Sequence, residues 1–443
     1  MPFETVPGTG LTYCLIAFDA AGRERRDDPD GLMSERVMGV LGSEPITDVF
    51  LMSHGWKGDI PAAREQYDNW IGAMAKCTAD IERAKNAPRG FVPLLVGIHW
   101  PSLPWGEEEL GSSAVSFGLS EPNPIAALID QYAERLSDSP AARAALQTII
   151  AAAVENAAPS ELPPDVRAAY QVLDREASLG DGGVAAAPGA DREPFDPDRA
   201  YQAAQDEFGE GAASFGALSF MGGLLDPLRQ LSFWKMKDRA RLFGESGGTN
   251  LLAKIQRATV TRDVRVHLMG HSFGCIVMSA TLAGPEGRGS LVRPVNSVAM
   301  IQGALSFWSY CSDIPYAKGK PGYFQSIVAD RRVAGPIITT QSVHDTAVGK
   351  LYPLAAGAAR QVVFAPGELP KYGALGSYGV RGPGPEIEDR EMLAVKDSYR
   401  FAPGKVYNLE SSQFICEGSG ASGAHSDIAK PEVAHAVWEA ALG

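Results

Sequence analysis

Hydrophobic and polar positions alternate along the chain in a way that predicts strands and helices in turn. Short apolar runs, each bounded by polar residues or glycine, predict strands at 11–20, 46–53, 91–100, 264–270, 295–305, 335–343 and 405–411. The spacing i, i+3, i+4, i+7, which marks one face of a helix, is followed by Tyr67, Trp70, Ile71 and Met74. Nearly continuous apolar strands separated by helices predict an α/β fold with a mostly parallel central sheet flanked by helices.

One long interval interrupts this alternation. Residues 103–247 contain amphipathic helix patterns without a good strand, so we expect a helical cap inserted into a core domain formed by 1–102 and 248–443. Within the cap, 178–198 is rich in Gly, Ala, Pro and Asp, a composition that favours a mobile segment. A second irregular stretch, 366–400, is expected to form a long loop before the last strand.

Charge and composition narrow the classes of protein. The 443-residue chain carries 40 basic and 53 acidic residues, a net charge of −13, which repels phosphate backbones and argues against nucleic acid as a partner. No run of apolar residues is long enough to span a membrane, and the first residues, MPFETVPGTG, lack the pattern of a signal peptide. The five scattered cysteines never form a CxxC pair, so we expect no disulfide framework, no zinc site and a cytoplasmic location.

A hydroxyl lies between two glycines at the junction of a predicted strand and a predicted helix. Gly270, His271, Ser272, Phe273 and Gly274 fit the pattern G-x-S-x-G. In the matching structural context, a sharp turn between strand and helix exposes the serine, and glycines two positions away let the two elements approach closely. The strand precedes and the helix follows, so Ser272 is predicted to be a catalytic nucleophile.

A serine nucleophile needs a histidine to accept its proton and a carboxylate to orient that histidine. In this architecture the acid and then the histidine follow later strands. Asp345 comes just after the strand at 335–343, and His425 lies between the last strand and the closing helix. Asp313, after the preceding strand, stays open as the acid, and His435 inside the helical pattern is the competing histidine.

The negative oxygen that develops during acyl transfer needs two N–H donors. The amide of Phe273, directly after the nucleophile, is predicted to be one of them. The other is predicted to be the amide of Trp56 in the early loop LMSHGWKGD, where a glycine lets the chain bend back. His54 and Gly55 in that loop, and His271 beside the nucleophile, are expected to contact the substrate.

The segments HGW, GHSFG, VHD and AHSDI, in this order and on these elements, resemble the α/β-hydrolase superfamily. The resemblance covers 11–102 and 248–443 and leaves out the inserted interval. It implies the hydrolase sheet fold with an inserted cap. The site that it implies consists of the triad Ser272, Asp345 and His425 and of the oxyanion amides of Trp56 and Phe273.

These features predict a serine hydrolase that cleaves carboxylic esters through an acyl-enzyme intermediate and needs neither a metal nor an organic cofactor. Its expected partner is a small-molecule or lipid ester, and the oligomeric state stays open. If the apolar, glycine-rich stretch 208–225 acts as a lid, the alternative is a lipase or phospholipase working at a membrane, which includes an effector exported by a leaderless route. The basic and aromatic helix FWKMKDRARLF then either contacts an anionic membrane peripherally or forms a surface of the cap. An inactive binding or scaffold protein is the alternative from another class.

Overall fold

A mostly parallel β-sheet with helices on its faces organises the chain in the computed structural model, which describes residues 3–26, 31–56, 60–102, 124–156, 159–180, 182–208, 223–352 and 369–443. Within these residues the sheet has nine strands in the order β1-β2-β4-β3-β5-β6-β7-β9-β8. Only β1 runs antiparallel to its neighbour; the other pairs are parallel. The strands are β1 Glu4–Thr5, β2 Thr12–Ala17, β3 Asp48–Ser53, β4 Pro93–His99, β5 Arg265–His271, β6 Ser297–Ile301, β7 Ile337–Gln341, β8 Ile387–Glu391 and β9 Val406–Glu410.

The seven strands predicted from apolar runs are confirmed as β2 to β7 and β9. The strand β8 corrects the prediction of a long loop over 366–400. Its sequence, IEDRE, is mostly charged and partly exposed, because an edge strand has a neighbour on one side only and does not need an apolar run.

The described helices are α1 Met33–Ser43, α2 Ile60–Lys76, α3 Thr78–Lys85, α4 Pro124–Arg135, α5 Pro140–Glu155, α6 Pro164–Ala177, α7 Pro197–Phe208, α8 Asp226–Phe243, α9 Thr249–Ala258, α10 Gly274–Ala283, α11 Gln325–Ala329, α12 Leu375–Tyr378 and α13 Pro431–Leu442. Helix α2 buries the predicted face, including Tyr67 and Trp70, in a cluster that also contains Val437 and Trp438 of α13. No described helix is both long and apolar enough to cross a membrane.

The chain divides into two compact units. The first comprises Met1–Leu103, Ala240–Tyr352 and Gly373–Gly443 and contains the sheet. The second comprises Pro104–Arg239 and Pro353–Tyr372, so the division falls inside α8 rather than at the predicted residue 247.

The second unit is helical over its described residues and has its own apolar core. Leu146 and Ile149 of α5 pack there with Tyr170 and Leu173 of α6. The segment 178–198 was predicted to be mobile from its composition, and several of its described residues are buried. It contains a short 3-10 helix, Pro188–Ala190, and Asp191 within it is buried. Its small residues allow close approach, because a Cβ on Gly189 would lie 2.6 Å from Cβ of Asp238.

Candidate active site

Ser272 lies on the sharp turn between β5 and α10, as the G-x-S-x-G pattern predicts. Its φ of +54° is left-handed, a conformation that costs a non-glycine residue free energy and is often found at functional sites. The two flanking glycines are required by close approach. A Cβ on Gly274 would lie 2.3 Å from the carbonyl oxygen of Ser53, and one on Gly270 would lie 2.5 Å from that of Gly274. The turn therefore exists because these two positions carry no side chain.

The structure brings Ser272, Asp345 and His425 together. Nε2 of His425 lies 2.8 Å from Oγ of Ser272, and its Nδ1 lies 2.7 Å from Oδ2 of Asp345. The pairing of β7 with β9 explains this meeting, because Asp345 follows the first strand and His425 follows the second at the same edge of the sheet. The amide of Ala424 donates to the carbonyl of His344 at 2.9 Å, which joins the two loops directly.

Asp345 is the carboxylate beside the histidine. Its side chain is buried, and its Oδ1 accepts a hydrogen bond from the amide of Val348 at 3.1 Å. Its Oδ2 accepts one from Nε2 of Gln302 at 2.9 Å in addition to the bond from His425. Asp313, the alternative acid, is exposed and accepts a hydrogen bond from the amide of Gly319 in its own turn, at 2.6 Å.

The loop after β3 lies against the nucleophile. A Cβ on Gly55 would be 2.8 Å from Cβ of Ser272, and the ring of Trp56 stacks on that of Phe273 with centroids 5.5 Å apart. The carbonyl of Gly55 lies 2.7 Å from Nδ1 of His54 and accepts from Oγ of Ser102 at 3.3 Å. In a trans peptide the next N–H points the opposite way, so the amide of Trp56 points away from both groups.

His54 is buried and belongs to the support of this loop. Its Nε2 lies 3.2 Å from Nδ1 of His99 at the end of β4, and its amide donates to the hydroxyl of Tyr67 at 2.9 Å. Burial raises the pKa of Tyr67 well above its usual value, so the hydroxyl keeps its proton and donates to the carbonyl of Ile98 on β4 at 2.5 Å, with the carbonyl of Met52 on β3 at 3.1 Å. This placement favours a supporting role for His54 over the substrate contact predicted for it.

His271 is also buried, and it contacts the histidine loop. Its Nε2 lies 2.9 Å from the carbonyl oxygen of His425, and its Nδ1 lies 3.4 Å from Nε2 of Gln66. A backbone carbonyl only accepts hydrogen bonds, so Nε2 of His271 carries a proton and donates it to that carbonyl. Sequence reasoning missed Gln66 and Gln302, since neither belongs to a motif; the only signal for Gln302 was a polar residue directly after an apolar strand.

Among the described residues, Asp80, His435 and Glu439 form a group whose ligand atoms lie within 4.8 Å of one another. The atoms of this group already have protein partners. Arg83 forms ion pairs with both carboxylates, and the two nitrogens of His435 lie 2.7 Å from Oδ2 of Asp80 and 2.8 Å from the carbonyl of Asp397. His435, the competing histidine, is buried and has both ring nitrogens bonded in this group, so it has a structural role.

Comparison with known proteins adds no relative: no protein-family model, curated protein or solved structure matches the chain. The chemistry is therefore inferred from the geometry of the site. A hydroxyl bonded to an imidazole, whose other nitrogen is bonded to a buried carboxylate, is the arrangement that converts an alcohol into a nucleophile. The thiol of Cys275, three residues from Ser272, does not compete, because burial raises its pKa.

Proposed function

We propose that this chain is a serine hydrolase of the α/β-hydrolase type that cleaves carboxylic esters through an acyl-enzyme intermediate. The observation that carries the proposal is the continuous chain of hydrogen bonds from Oγ of Ser272 through His425 to Asp345, at 2.8 and 2.7 Å. Support also comes from the order of the three residues along the chain and from the left-handed turn at Ser272.

In the first half of the reaction, Oγ of Ser272 attacks the ester carbonyl carbon while Nε2 of His425 accepts the hydroxyl proton. Asp345 orients the imidazole and stabilises its positive charge. The tetrahedral intermediate then collapses, its bond to the alcohol oxygen breaks, and His425 gives its proton to that oxygen. In the second half water takes the place of the alcohol, releasing the carboxylic acid and restoring Ser272.

The oxygen that becomes negative in each half is proposed to lie near the amides of Trp56 and Phe273. The closeness of Gly55 to Ser272 and the stacking of the two aromatic rings support this choice. Phe273 also precedes the first turn of α10, where the helix dipole favours negative charge. Removing a donor of this kind lowers turnover by about 10²- to 10³-fold in enzymes that use one.

The deciding experiment compares p-nitrophenyl acetate hydrolysis by the purified protein and by Ser272→Ala. We expect the variant to lose activity by at least about 10³-fold and to lose labelling by a fluorophosphonate probe, because both reactions need the same nucleophile. Ser279→Ala is the matched control: Ser279 is a buried serine of α10 whose hydroxyl contacts Cys275 and Tyr310 and no histidine. Full activity in Ser272→Ala would overturn the proposal.

The same assay separates the alternatives. An inactive scaffold would leave Ser272 unlabelled by the probe. The lid that would favour a lipase was predicted at 208–225, and residues 209–222 lie outside the described residues. A series of p-nitrophenyl esters from acetate to palmitate, with and without micelles, measures the preference directly; a steady decline beyond butyrate would reject the lipid alternative.

A further inference from the structure

Gln302 directly follows β6 and shares an unusual feature with Ser272, which directly follows the neighbouring β5. Both residues have left-handed backbones, with φ of +45° and +54°, although neither is glycine. Such a conformation costs about 1 kcal/mol or more and persists where the surroundings impose it. Gln302 is fully buried, so a side chain that would ordinarily be solvated has been kept in a strained position beside the triad.

The side-chain amide of Gln302 is fixed at both ends. The hydroxyl of Thr340 on β7 donates to Oε1 at 2.9 Å and accepts from the backbone amide of Gln302 at 2.9 Å. Its Nε2 donates to Oδ2 of Asp345 at 2.9 Å. Because a carboxylate only accepts hydrogen bonds, the NH₂ end must be the one that faces Asp345.

This contact joins Gln302 to the acid–base pair. The Oδ2 that accepts from Gln302 is the same oxygen that accepts from Nδ1 of His425, at 2.7 Å. Two donors therefore share one carboxylate oxygen, while the amide of Val348 occupies the other. The geometry leaves the carboxylate one orientation, the one directed at the histidine.

We propose that Gln302 is a positioning residue of the hydrolase: its amide orients the Asp345 carboxylate and weakens the attraction of that carboxylate for a proton on His425. The proposal rests on the proposed function, in which His425 must be neutral to accept a proton from Ser272. The hydrogen bond that Gln302 donates stabilises part of the negative charge of Asp345, so less of that charge is left to stabilise an imidazolium. Removing the amide should therefore keep His425 protonated to a higher pH, besides loosening the carboxylate.

Two substitutions at one position test this. Gln302→Met keeps the length of the side chain and removes the donor. In Gln302→Glu two buried carboxyl groups lie within hydrogen-bond distance of each other and cannot both ionise, so the new side chain keeps a proton that it donates to Asp345. We expect kcat/KM for p-nitrophenyl acetate to fall roughly tenfold in Gln302→Met, and the acid limb of its pH profile to move up by about half a pH unit. In Gln302→Glu the limb should stay closer to its wild-type position than in Gln302→Met, because a donor to Asp345 is retained.

Gln256→Met is the matched control. Gln256 of α9 is another buried glutamine, and its amide donates to the carbonyl of Arg293 at 2.7 Å, with no contact to the triad. Loss of a buried hydrogen bond there is expected to lower stability and to leave the pH profile unchanged. If Gln302→Met loses activity with the wild-type acid limb, Gln302 is only a structural residue and the proposal is overturned.

A readout without turnover separates this proposal from the proposed function. The ¹⁵N signals of the His425 ring, identified by their disappearance in His425→Gln, are followed against pH in the wild-type protein and both Gln302 variants. They should change at higher pH in Gln302→Met than in the wild-type protein, while Gln302→Glu, which retains a donor to Asp345, should stay closer to the wild-type protein. If the protein has no Ser272-dependent esterase activity, the proposed function fails, and these signals alone decide whether Gln302 acts on His425.

Discussion

The rings of His271 and His425 lie with their centres 4.9 Å apart and their planes tilted by 38°, yet their surroundings assign them different tasks. The ring of His425 faces Ser272, whereas Nε2 of His271 faces the backbone carbonyl of His425, 2.9 Å away. Because this hydrogen bond fixes the backbone of His425, it also fixes the position from which the His425 side chain extends. At the scale of single residues, His271, which occupies an unspecified position of the G-x-S-x-G pattern, therefore supports His425, the predicted base.

We expect His271→Leu to lower kcat by roughly 10- to 100-fold, because small displacements of a catalytic group are costly, and to leave KM nearly unchanged. His271→Gln is the matched control, since its amide can still donate to the carbonyl of His425. Steady-state kinetics on p-nitrophenyl acetate measure both variants. A large rise in KM with unchanged kcat would instead support the substrate contact first expected for His271.

The choice between two aspartates is tested by the same change at both positions. We expect Asp345→Asn to lower kcat by about 10³- to 10⁴-fold, because an amide no longer stabilises the imidazolium and favours the wrong tautomer. Asp313→Asn should retain wild-type activity, since its carboxylate is exposed and accepts from the amide of Gly319 in its own turn. Equal activities of the two variants, measured as kcat, would contradict the assignment of Asp345 as the acid.

At the scale of elements, the contact of α10 with the loop after β3 constrains the site through close backbone approach. The helix begins at Gly274, whose missing side chain lets it approach the carbonyl oxygens of Ser53 and His54; a Cβ would lie 2.3 and 2.6 Å from them. Backbone atoms cannot move aside independently, so any side chain must separate the nucleophile from the predicted oxyanion loop.

Gly274→Ala should therefore lower both the midpoint of thermal unfolding and the esterase rate. The matched control is Gly72→Ala in α2, where a Cβ would have no atom within 4 Å. Alanine is a better helix former than glycine, so Gly72→Ala should stabilise the protein by about 0.5–1 kcal/mol and keep its activity. A fully active, stable Gly274→Ala protein would show that this close approach does not matter.

Much of the element order was predictable, because buried parallel strands need apolar runs and leave a strong pattern. Ser272, Asp345 and His425 follow β5, β7 and β9, so their meeting at one sheet edge followed from the rule that parallel strands end together. The order of strands was not predictable: β4 lies between β2 and β3 although it follows both in sequence. A charged edge strand such as β8 leaves no apolar signal.

The residues that support the site, such as Gln302, were not predictable from the sequence for a different physical reason. Gln302 acts through a left-handed backbone and through Thr340, which lies 38 positions along the chain. Neither the dihedral angle nor a contact at that separation has a periodic signature in sequence. Polar residues that are buried in pairs likewise resemble ordinary surface residues until the fold brings their partners together.

At the scale of the whole molecule, the pH dependence of stability tests such a buried pair. Lys237 of α8 is fully buried, with Nζ 3.7 Å from a carboxylate oxygen of Asp191 and 4.2 Å from the ring centre of Trp234. Burial lowers the pKa of Lys237 to about 7, an effect that Asp191 opposes. The unfolded chain keeps this proton to much higher pH, so it binds more protons than the folded chain above pH 7, and stability rises with pH.

Between pH 7 and pH 9 this one group should add about 2 kcal/mol to the stability of the wild-type protein. In Lys237→Met this gain in the free energy of unfolding between pH 7 and pH 9 should vanish, because methionine releases no proton on folding. The expectation holds whatever the stability of the variant at pH 7. Urea unfolding at the two pH values measures the difference, with Lys254→Met, at an exposed position of α9, as the control that should keep the wild-type dependence. If Lys237→Met gains as much stability over this range as the wild-type protein, the lysine is charged in the folded state, and its pairing with Asp191 outweighs the cost of burial.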